Sequence, residues 1–520
     1  MNGAGGRASA ARSRLRPGFI DLLALFLITL IALIGGRRLF GDADAATHVA
    51  TGVWILEHRE IPRVDPFSGT RRGTEWFAHE WMADLGSALA YRSCGWNGLV
   101  VAAGLVITLT HLLLFRFLVR RGDDVLAAFG AVVAAAAAWS SHWLARPHLM
   151  TPLFLTLCVI VLEQVVRGAW RPRALLFLPP VALVWANVHG GFLVLFGVLA
   201  CYGLGALLSR GASRALLLPL LGTFAGAAAC VLINPWGWRL PGHLIAFFAF
   251  HGPALRATSE FMPAAADDRA GVALFVFAAL CAAGIACGLR ARAAQAIGLS
   301  GPGGRAPAWT GPLHPGVLLA LALTTAMAFR SIRHVDVMAI FGALVISGGL
   351  SRLMQSLPDP RMRSDLEALR LREERSGGVL AGAALVLLLI LAPLRLLPAA
   401  GFDPAKFPVA AVSELRRAGP PPAGPVFAPD IWGGYLILEW PQARVFVDGR
   451  WDMYGDEFFK RYADLYLGRG DWSSALDAAE VTLVLLPRDA PLVQPMRASA
   501  DWIVWRSDET AVVFRRRVRS

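Results

Sequence analysis

Long apolar stretches recur along the first 400 residues of the chain. Each is close to the length of about 20 apolar residues that a helix needs to cross a bilayer core. The pattern predicts an α-helical polytopic membrane protein with about eleven transmembrane helices, of which the third and fifth are short. The predicted spans lie at 19–36, 97–118, 125–141, 149–166, 174–188, 191–209, 215–233, 270–288, 314–329, 335–350 and 378–397.

Charged residues return in every turn after residue 400, between short apolar runs. The runs WGGYLILEW, VTLVLLP and WIVWRSDETAVVFRR are typical of strands, and the last predicts a hairpin around Ser507 and Asp508. Amphipathic stretches such as DEFFKRYADLYLG predict helices between them. We therefore expect a basic N-terminus at 1–18, a membrane module at 19–399 and a small α/β domain at 400–520.

Arginine is concentrated in every second loop between the predicted spans. The basic loops begin with the N-terminus, continue at Arg120 and Arg121, and end with the stretch 351–375. Arginine-rich short loops mark the cytoplasmic side of a membrane. This phase predicts a multi-pass protein of a bacterial-style plasma (inner) membrane, with a cytoplasmic N-terminus and an extracytoplasmic C-terminal domain.

The net charge of +13 does not indicate a nucleic-acid-binding protein. Residues 400–520 carry 15 Lys and Arg against 16 Asp and Glu, so the basic excess belongs to the membrane module. There it sets the topology and contacts membrane lipids. The six cysteines lie mostly within spans and none lies beyond residue 400, so we expect no disulfide framework.

The loops on the predicted outer side carry most of the reactive side chains. The longest, the first outer loop at 37–96, contains GDADAATHVATG and FAHEWMADLG. A single histidine here is more often an interfacial anchor than a ligand, but the joint bias to one face favours a site. The histidines in or beside these loops are His48, His58, His79, His142, His148, His189, His243, His251 and His334.

Several functional classes lack their sequence signals. An ion-coupled transporter needs ionisable groups near the bilayer midplane and repeated halves, and neither is visible. A zinc protease needs HExxH, but HEWMA at His79 lacks the second histidine. What remains is an enzyme at the outer membrane boundary, a non-catalytic membrane protein that binds lipid or glycan in an envelope assembly, or a flippase or exporter.

The first span is followed directly by Asp42-Ala-Asp44, then by a long outer loop. With about eleven spans and an external C-terminal domain, this arrangement resembles the GT-C superfamily of integral-membrane glycosyltransferases. The pattern GDADAATHVATGVWILEHREIPRVDPFSGT…EWFAHEWMADL also resembles its bacterial RgtA/B/C/D-like or mannosyltransferase-like branch, over roughly residues 19–350. The resemblance implies transfer of a sugar from a polyprenyl-phosphate donor to a glycolipid, polysaccharide or protein acceptor on the outer face, with inversion.

The same resemblance gives the two aspartates catalytic roles. Asp42 is the candidate base for the acceptor proton, and Asp44 would bind acceptor hydroxyls or a divalent cation such as Mg or Mn through oxygen ligands. Glu80 or Glu260 would be a second carboxylate at such a metal. The structural alternative is that either aspartate caps the helix that follows, a role that suits Asp44 better.

Arginines at the outer ends of spans are candidates to bind the donor phosphate, because a guanidinium grips phosphate with two hydrogen bonds. Anchoring to anionic headgroups is an equal alternative for each one alone. Histidines of the outer loops would orient sugar hydroxyls. The predicted substrate-binding set is Arg37, Arg38, His48, His79, Glu80, Arg146, His189, Arg239, Arg330 and Arg333.

Two further segments outside this set could contribute to the site. Residues 240–250, LPGHLIAFFAF, are too short to span and predict an interfacial helix at the lipid entrance. In VDGRWDMYG, the side chains of Asp448, Arg450 and Asp452 could contact an acceptor, although a turn with its own ion pairs is the favoured interpretation.

Overall fold

A computed structural model gives the architecture of the chain. It describes residues 16–209, 211–249, 252–253, 259–265, 267–296, 314–356, 359–391 and 400–517. Most of the predicted basic N-terminus, His251 and the end of the last predicted span therefore lie outside the described residues.

Helices form the whole of the described membrane module. They are α1 (Phe19–Arg38), α2 (Asp44–His58), α3 (Trp81–Cys94), α4 (Trp96–Arg121), α5 (Val125–Trp139), α6 (Met150–Val166), α7 (Leu178–Val188), α8 (Leu193–Leu208), α9 (Leu217–Cys230), α10 (Arg239–Ala249), α11 (Arg269–Ala296), α12 (Pro315–Arg330), α13 (Val335–Gln355), α14 (Pro360–Arg375) and α15 (Val379–Leu391).

Every predicted span coincides with one of these helices, which confirms a polytopic helical fold. Among the described residues, six helices are long and apolar enough to cross a membrane, or seven if α14 and α15, bent by 43°, form one span. Four further apolar helices are shorter. The predicted number of eleven spans is therefore not confirmed.

The start of α1 is tied to the end of the membrane module. The Glu373 carboxylate in α14 accepts hydrogen bonds from the backbone N–H groups of Phe19 (2.7 Å) and Ile20 (3.0 Å). Asp21 in turn accepts from the N–H of Ala381, at 2.9 Å. These carboxylates satisfy amide groups that the first turn of any helix leaves without an internal partner.

A four-stranded sheet organises the C-terminal domain. Its strands β1 (Val426–Phe427), β2 (Leu483–Pro487), β3 (Trp502–Ser507) and β4 (Ala511–Arg516) lie in the order β1-β2-β4-β3. β1 is parallel to β2, and the other pairs are antiparallel. β3 and β4 form the predicted final hairpin. The helices are α16 (Val409–Ala418), α17 (Asp430–Glu439), α18 (Trp451–Tyr454), α19 (Asp456–Tyr466), α20 (Trp472–Ala478) and α21 (Val493–Ala498).

The run WGGYLILEW is helical in the structure, so its prediction as a strand was wrong. It forms most of α17, in which the side chains from Trp432 to Ile437 are all buried. A short apolar run that is buried on every side has neither helical nor strand periodicity. Its sequence therefore could not distinguish the two.

α17 holds the C-terminal domain against the start of α2. A Cβ atom on Gly434 would lie only 2.4 Å from the carbonyl oxygen of Ala43 and 2.3 Å from Oγ1 of Thr47. Glycine is therefore required for this close approach. Nearby, the first outer loop pairs with the same domain, where Gly69 N–H donates to the Val445 carbonyl at 2.8 Å.

Candidate active site

One arginine gathers the carboxylates at the outer end of α1 and α2. Nη1 of Arg146, in the turn between α5 and α6, lies 2.8 Å from Oδ2 of Asp42 and 2.8 Å from Oδ2 of Asp44. Nη2 of Arg146 lies 2.9 Å from Glu260, which also pairs with Arg333 at 3.8 Å. The structure thus brings together both predicted catalytic residues and two predicted arginines.

The two aspartates differ in their surroundings. Oδ1 of Asp42 accepts a hydrogen bond from the backbone N–H of Asp44, the first residue of α2, at 3.1 Å. The N-cap residue is Ala43, so neither aspartate occupies the capping position. Asp44 lines a cavity, which Asp42 does not. The side chain of Asp44 is 40% exposed within that recess.

The charges around Asp44 decide its protonation. Burial under the C-terminal domain, together with the negative charges of Asp42 and Glu260, raises the pKa of Asp44 to about 6, while Arg146 opposes the rise. Burial would also raise the pKa of Glu260, but Arg146 and Arg333 outweigh it and hold that pKa at about 2. Asp44 therefore exchanges its proton near neutral pH, whereas Glu260 stays ionised.

The cavity lined by Asp44 has a volume of about 190 Å³ and is called here the polar cavity. It lies between α2, α3, α10 and the C-terminal domain. Its lining residues include Asp44, His48, Phe77, His79, Glu80, Asp84, Arg146, His148, His189, His243, Glu260, Arg333 and the segment 449–452.

His48 lies one helical turn after Asp44 and forms a buried pair with Asp84 of α3. Nδ1 of His48 is 2.7 Å from Oδ1 of Asp84. α2 and α3 touch at Gly52, where a Cβ would lie 2.0 Å from the Asp84 carbonyl oxygen. Burial alone would lower the pKa of His48, but Asp84 and Glu80 raise it to about 9. His48 is therefore a fixed cation at neutral pH.

Glu80 lies among three imidazoles. Its carboxylate is 3.5 Å from Nε2 of His48, 3.7 Å from Nε2 of His79 and 3.4 Å from Nε2 of His189. Nδ1 of His189 accepts from the backbone N–H of Gly191, so Nε2 carries the proton and points it at Glu80. Three predicted histidines and Glu80 thus form one network.

The predicted metal ligands Asp44 and Glu80 already have hydrogen-bonding or charged partners within the protein. Asp44 is bonded to Arg146, and Glu80 faces the protonated nitrogen of His189 rather than a free lone pair. Within the described part of the chain, no group of three or more His, Cys, Asp or Glu side chains could hold a metal ion. The divalent cation stays a prediction, and these residues as arranged do not fit it.

A second cavity, of about 500 Å³, adjoins the polar cavity and is called here the apolar cavity. Its walls are apolar side chains of α8, α12 and α13, such as Leu193, Leu323 and Met327. Arg330 and Arg333 lie at one end of it. The residues that line both cavities are Arg146, His148, His189, Gly190, Glu260, Phe261 and Arg333.

Three predicted phosphate-binding arginines line neither cavity. Arg37 lies 4.0 Å from Asp403, and Nη2 of Arg38 donates to the Ser140 carbonyl at 3.2 Å. Nη2 of Arg239 bonds to Glu75 at 2.8 Å, with both side chains about half exposed. Among the residues that the structure describes, Arg37 and Arg38 therefore contact none of the other predicted site residues. Arg239 lies over the ring of Phe77, which lines the polar cavity, 5.3 Å from its centroid.

Sequence reasoning did not single out Asp84, and it named His243 only among the histidines of the outer loops, not in the predicted substrate-binding set. Asp84 follows Glu80 by four residues, which places both carboxylates on one face of α3, and that spacing was a usable signal. His243 lies in the predicted interfacial helix, which is α10. Only the fold shows that α10 covers the polar cavity, with His243 facing Asp452 at 3.3 Å.

No protein-family model and no curated protein matches the chain. Solved structures do match it. The crystal structure of ArnT from Cupriavidus metallidurans in the apo state aligns with a TM-score of 0.52 at 12% identity, over 95% of this chain and 97% of that chain. The structure of the same protein bound to undecaprenyl phosphate aligns with a TM-score of 0.51 at 13% identity, over the same shares of both chains. The chain therefore has the multi-pass helical fold of ArnT.

Proposed function

We propose that this protein is a membrane glycosyltransferase that moves a sugar from a polyprenyl phosphate to an acceptor hydroxyl on the outer face of the plasma membrane. One observation carries the proposal: a cavity lined by Asp44 adjoins a large apolar cavity, and Arg146 lines both. A lipid-linked sugar needs such a site, with hydrocarbon surface on one side and ionisable groups on the other.

The apolar cavity suits the donor. Its Leu193, Leu323 and Met327 would contact the polyprenyl chain, and Arg330 and Arg333 at its end would bind the phosphate. Support for such a ligand comes from the fold neighbour ArnT, whose structure was solved with undecaprenyl phosphate. The bond between phosphate and sugar would then lie at the wall that the two cavities share.

The reaction we propose is a single displacement. The acceptor oxygen forms a bond to the anomeric carbon while the bond from that carbon to the phosphate oxygen breaks, with inversion. The polyprenyl phosphate leaves with the electron pair, and the acceptor proton passes to a carboxylate. Asp44 fits the role of base better than Asp42, because it lines the polar cavity and has a pKa near 6.

Asp42 then acts as a positioning residue. It holds the N–H of Asp44 and shares Arg146 with it, so it fixes the start of α2 and adds to the negative charge beside Asp44. His48, Glu80 and His189 line the same cavity and would orient sugar hydroxyls.

The outer location rests on the arginine pattern. α4 ends with Arg120 and Arg121, and α14, which contacts the start of α1, is rich in arginine. Asp42 and Asp44 follow the other end of α1. Under the positive-inside rule, the arginine-rich ends face the cytoplasm. The polar cavity and the C-terminal domain would then face outward.

Glycan and glycolipid profiles of cells test the proposal. Cells would carry the wild type, Asp42→Asn, Asp44→Asn or a deletion, with equal amounts of each protein in the membrane. We expect Asp44→Asn to lose the same glycoform as the deletion, and Asp42→Asn to lose most of it. Asp464→Asn, an exposed site on α19 away from both cavities, is the control. A normal profile with Asp44→Asn but not with the deletion would favour a binding or assembly protein.

A further inference from the structure

Part of the lining of the polar cavity is shared with the apolar cavity, at Arg146, Glu260 and Arg333. The lining residues that are not shared include Phe77 of the first outer loop, His243 of α10 and Asp452 of the C-terminal domain, and they are called here the unshared side. If the donor enters through the apolar cavity, the unshared side is available to the second substrate.

His243 and Asp452 form an ion pair across the seam between the membrane module and the C-terminal domain. Nε2 of His243 lies 3.3 Å from Oδ2 of Asp452, and the side chains are 21% and 18% exposed. The ring of His243 stacks on Phe77, with centroids 4.3 Å apart and planes 6° from parallel. Among the described residues, His243 is the only hydrogen-bond partner of the Asp452 carboxylate.

The neighbouring arginine, Arg450, already has partners within the protein. Arg450 donates two hydrogen bonds to Asp448, at 2.7 and 2.6 Å, and lies 2.8 Å from Asp65 of the first outer loop. Its guanidinium also lies over the ring of Trp76, 4.5 Å from the centroid. Of the guanidinium nitrogens, Nη1 has no hydrogen-bond partner among the described residues, but the carboxylates of Asp448 and Asp65 offset the charge of Arg450. The unshared side of the cavity therefore presents the Asp452 carboxylate and the His243 imidazole beside an arginine that is already paired.

We propose that His243 and Asp452, with Phe77 stacked on the imidazole, form the binding subsite for the acceptor, and that the acceptor group bound there is a polyhydroxylated sugar. The inference rests on the proposed glycosyl transfer and names its second substrate class. A carboxylate accepts hydrogen bonds from sugar hydroxyls, and an imidazole adds a donor. Phe77 stacks on the His243 ring and also lies under the Arg239 guanidinium, 5.3 Å from the ring centroid, so it positions the imidazole rather than contacting the sugar. Asp452 would repel a phosphate or carboxylate.

The pKa of Asp452 agrees with this chemistry. Burial would raise it, but the hydrogen bond and charge of His243 outweigh burial and keep the carboxyl ionised. The short helix α18 that carries Asp452 is fixed from behind, because Asp448 accepts from both Arg450 and Tyr454. The C-terminal domain thus contributes a rigid wall of the site.

The test separates donor binding from acceptor use. Melting temperatures would be measured with and without undecaprenyl phosphate for three purified variants, Asp452→Asn, Asp452→Glu and His243→Gln. The same variants would be expressed in cells, and the glycoform that the deletion loses would be measured. We expect melting temperatures and the lipid-dependent stabilisation to match the wild type. Product should fall about ten- to hundredfold in Asp452→Asn and His243→Gln, as expected for a lost hydrogen bond to a charged group, and less in Asp452→Glu.

Each other result contradicts the subsite. Loss of the undecaprenyl-phosphate effect in Asp452→Asn would place the residue on the donor side, and a lowered melting temperature without lipid would make its role structural. Normal product in Asp452→Asn and His243→Gln, with product lost in Asp44→Asn, would overturn the subsite alone. Normal product in Asp44→Asn would instead overturn the glycosyl transfer itself. Asp464→Asn again serves as the control.

Discussion

In the proposed reaction Asp44 is the base, and its neighbours change its affinity for a proton. An aspartate in water has a pKa near 4 and takes a proton weakly. In this site the pKa is about 6, because burial and the charges of Asp42 and Glu260 outweigh Arg146. A stronger base results, which is still ionised at neutral pH.

The pH dependence of product formation should report this balance. Asp44 is active when deprotonated, so the rate should fall as pH drops through about 6. Glu260→Gln removes a negative charge that raises this pKa, and should move the acid limb to lower pH by up to about one unit. Rates in isolated membranes at pH 4.5 to 8 would measure it, with Glu75→Gln as control. An acid limb that stays in place would exclude Asp44 as the titrating group.

The His48 and Asp84 pair should stabilise the protein over a defined pH range. The pKa of His48, about 9, exceeds the ordinary histidine value of 6.5, so the stabilisation from its charge is lost as pH rises through about 9. Burial raises the pKa of Asp84 to about 6, so the pair also loses its carboxylate charge as pH falls through about 6. Asp84→Asn should lower the melting temperature at pH 7 by several degrees, on the order of 2 kcal/mol. The difference from wild type should shrink towards pH 10, and a constant difference would contradict the assignment.

At the scale of elements, the contact between α17 and α2 positions the site. Gly434→Ala would place a Cβ 2.4 Å from the Ala43 carbonyl, so α17 and the start of α2 must separate. We expect a loss of about 1–3 kcal/mol in stability and reduced product, since Ala43 lies between the two aspartates. Gly86→Ala is the matched control, because a Cβ there meets nothing within 4 Å. Equal behaviour of both variants in thermal unfolding would contradict this role for the contact.

The sequence predicted helices more completely than it predicted the site. Apolar length is a local property, so every predicted span coincides with a helix. Arg38 and Arg146 both lie near the outer ends of helices in the sequence, yet only Arg146 points into the cavity. Whether a side chain points into a helix bundle or out of it depends on how the helices pack. A single sequence contains no simple pattern that gives this packing. Asp452 needed the docking of a whole domain to reach the polar cavity.

At the scale of the molecule, the arginine pattern predicts an orientation in the membrane that can be measured. Arg469→Cys on the C-terminal domain and Glu367→Cys in α14 would each be introduced into a chain whose six native cysteines are replaced by serine. The side chains of Arg469 and Glu367 are 68% and 54% exposed. In intact cells, a membrane-impermeant maleimide should label position 469 and leave 367 unlabelled. After lysis both should react, and the reverse pattern would place the site in the cytoplasm.

The measurement that tests the central claim most directly is transfer by purified protein. Membranes from cells that lack the protein would supply donor and unmodified acceptor, and purified wild type, Asp44→Asn or Asp464→Asn would be added in equal amounts. We predict that wild type and Asp464→Asn restore the missing glycoform within the assay, while Asp44→Asn, although folded and stabilised by undecaprenyl phosphate, forms less than about a hundredth as much. Restoration by Asp44→Asn at the wild-type rate would contradict catalysis at this site.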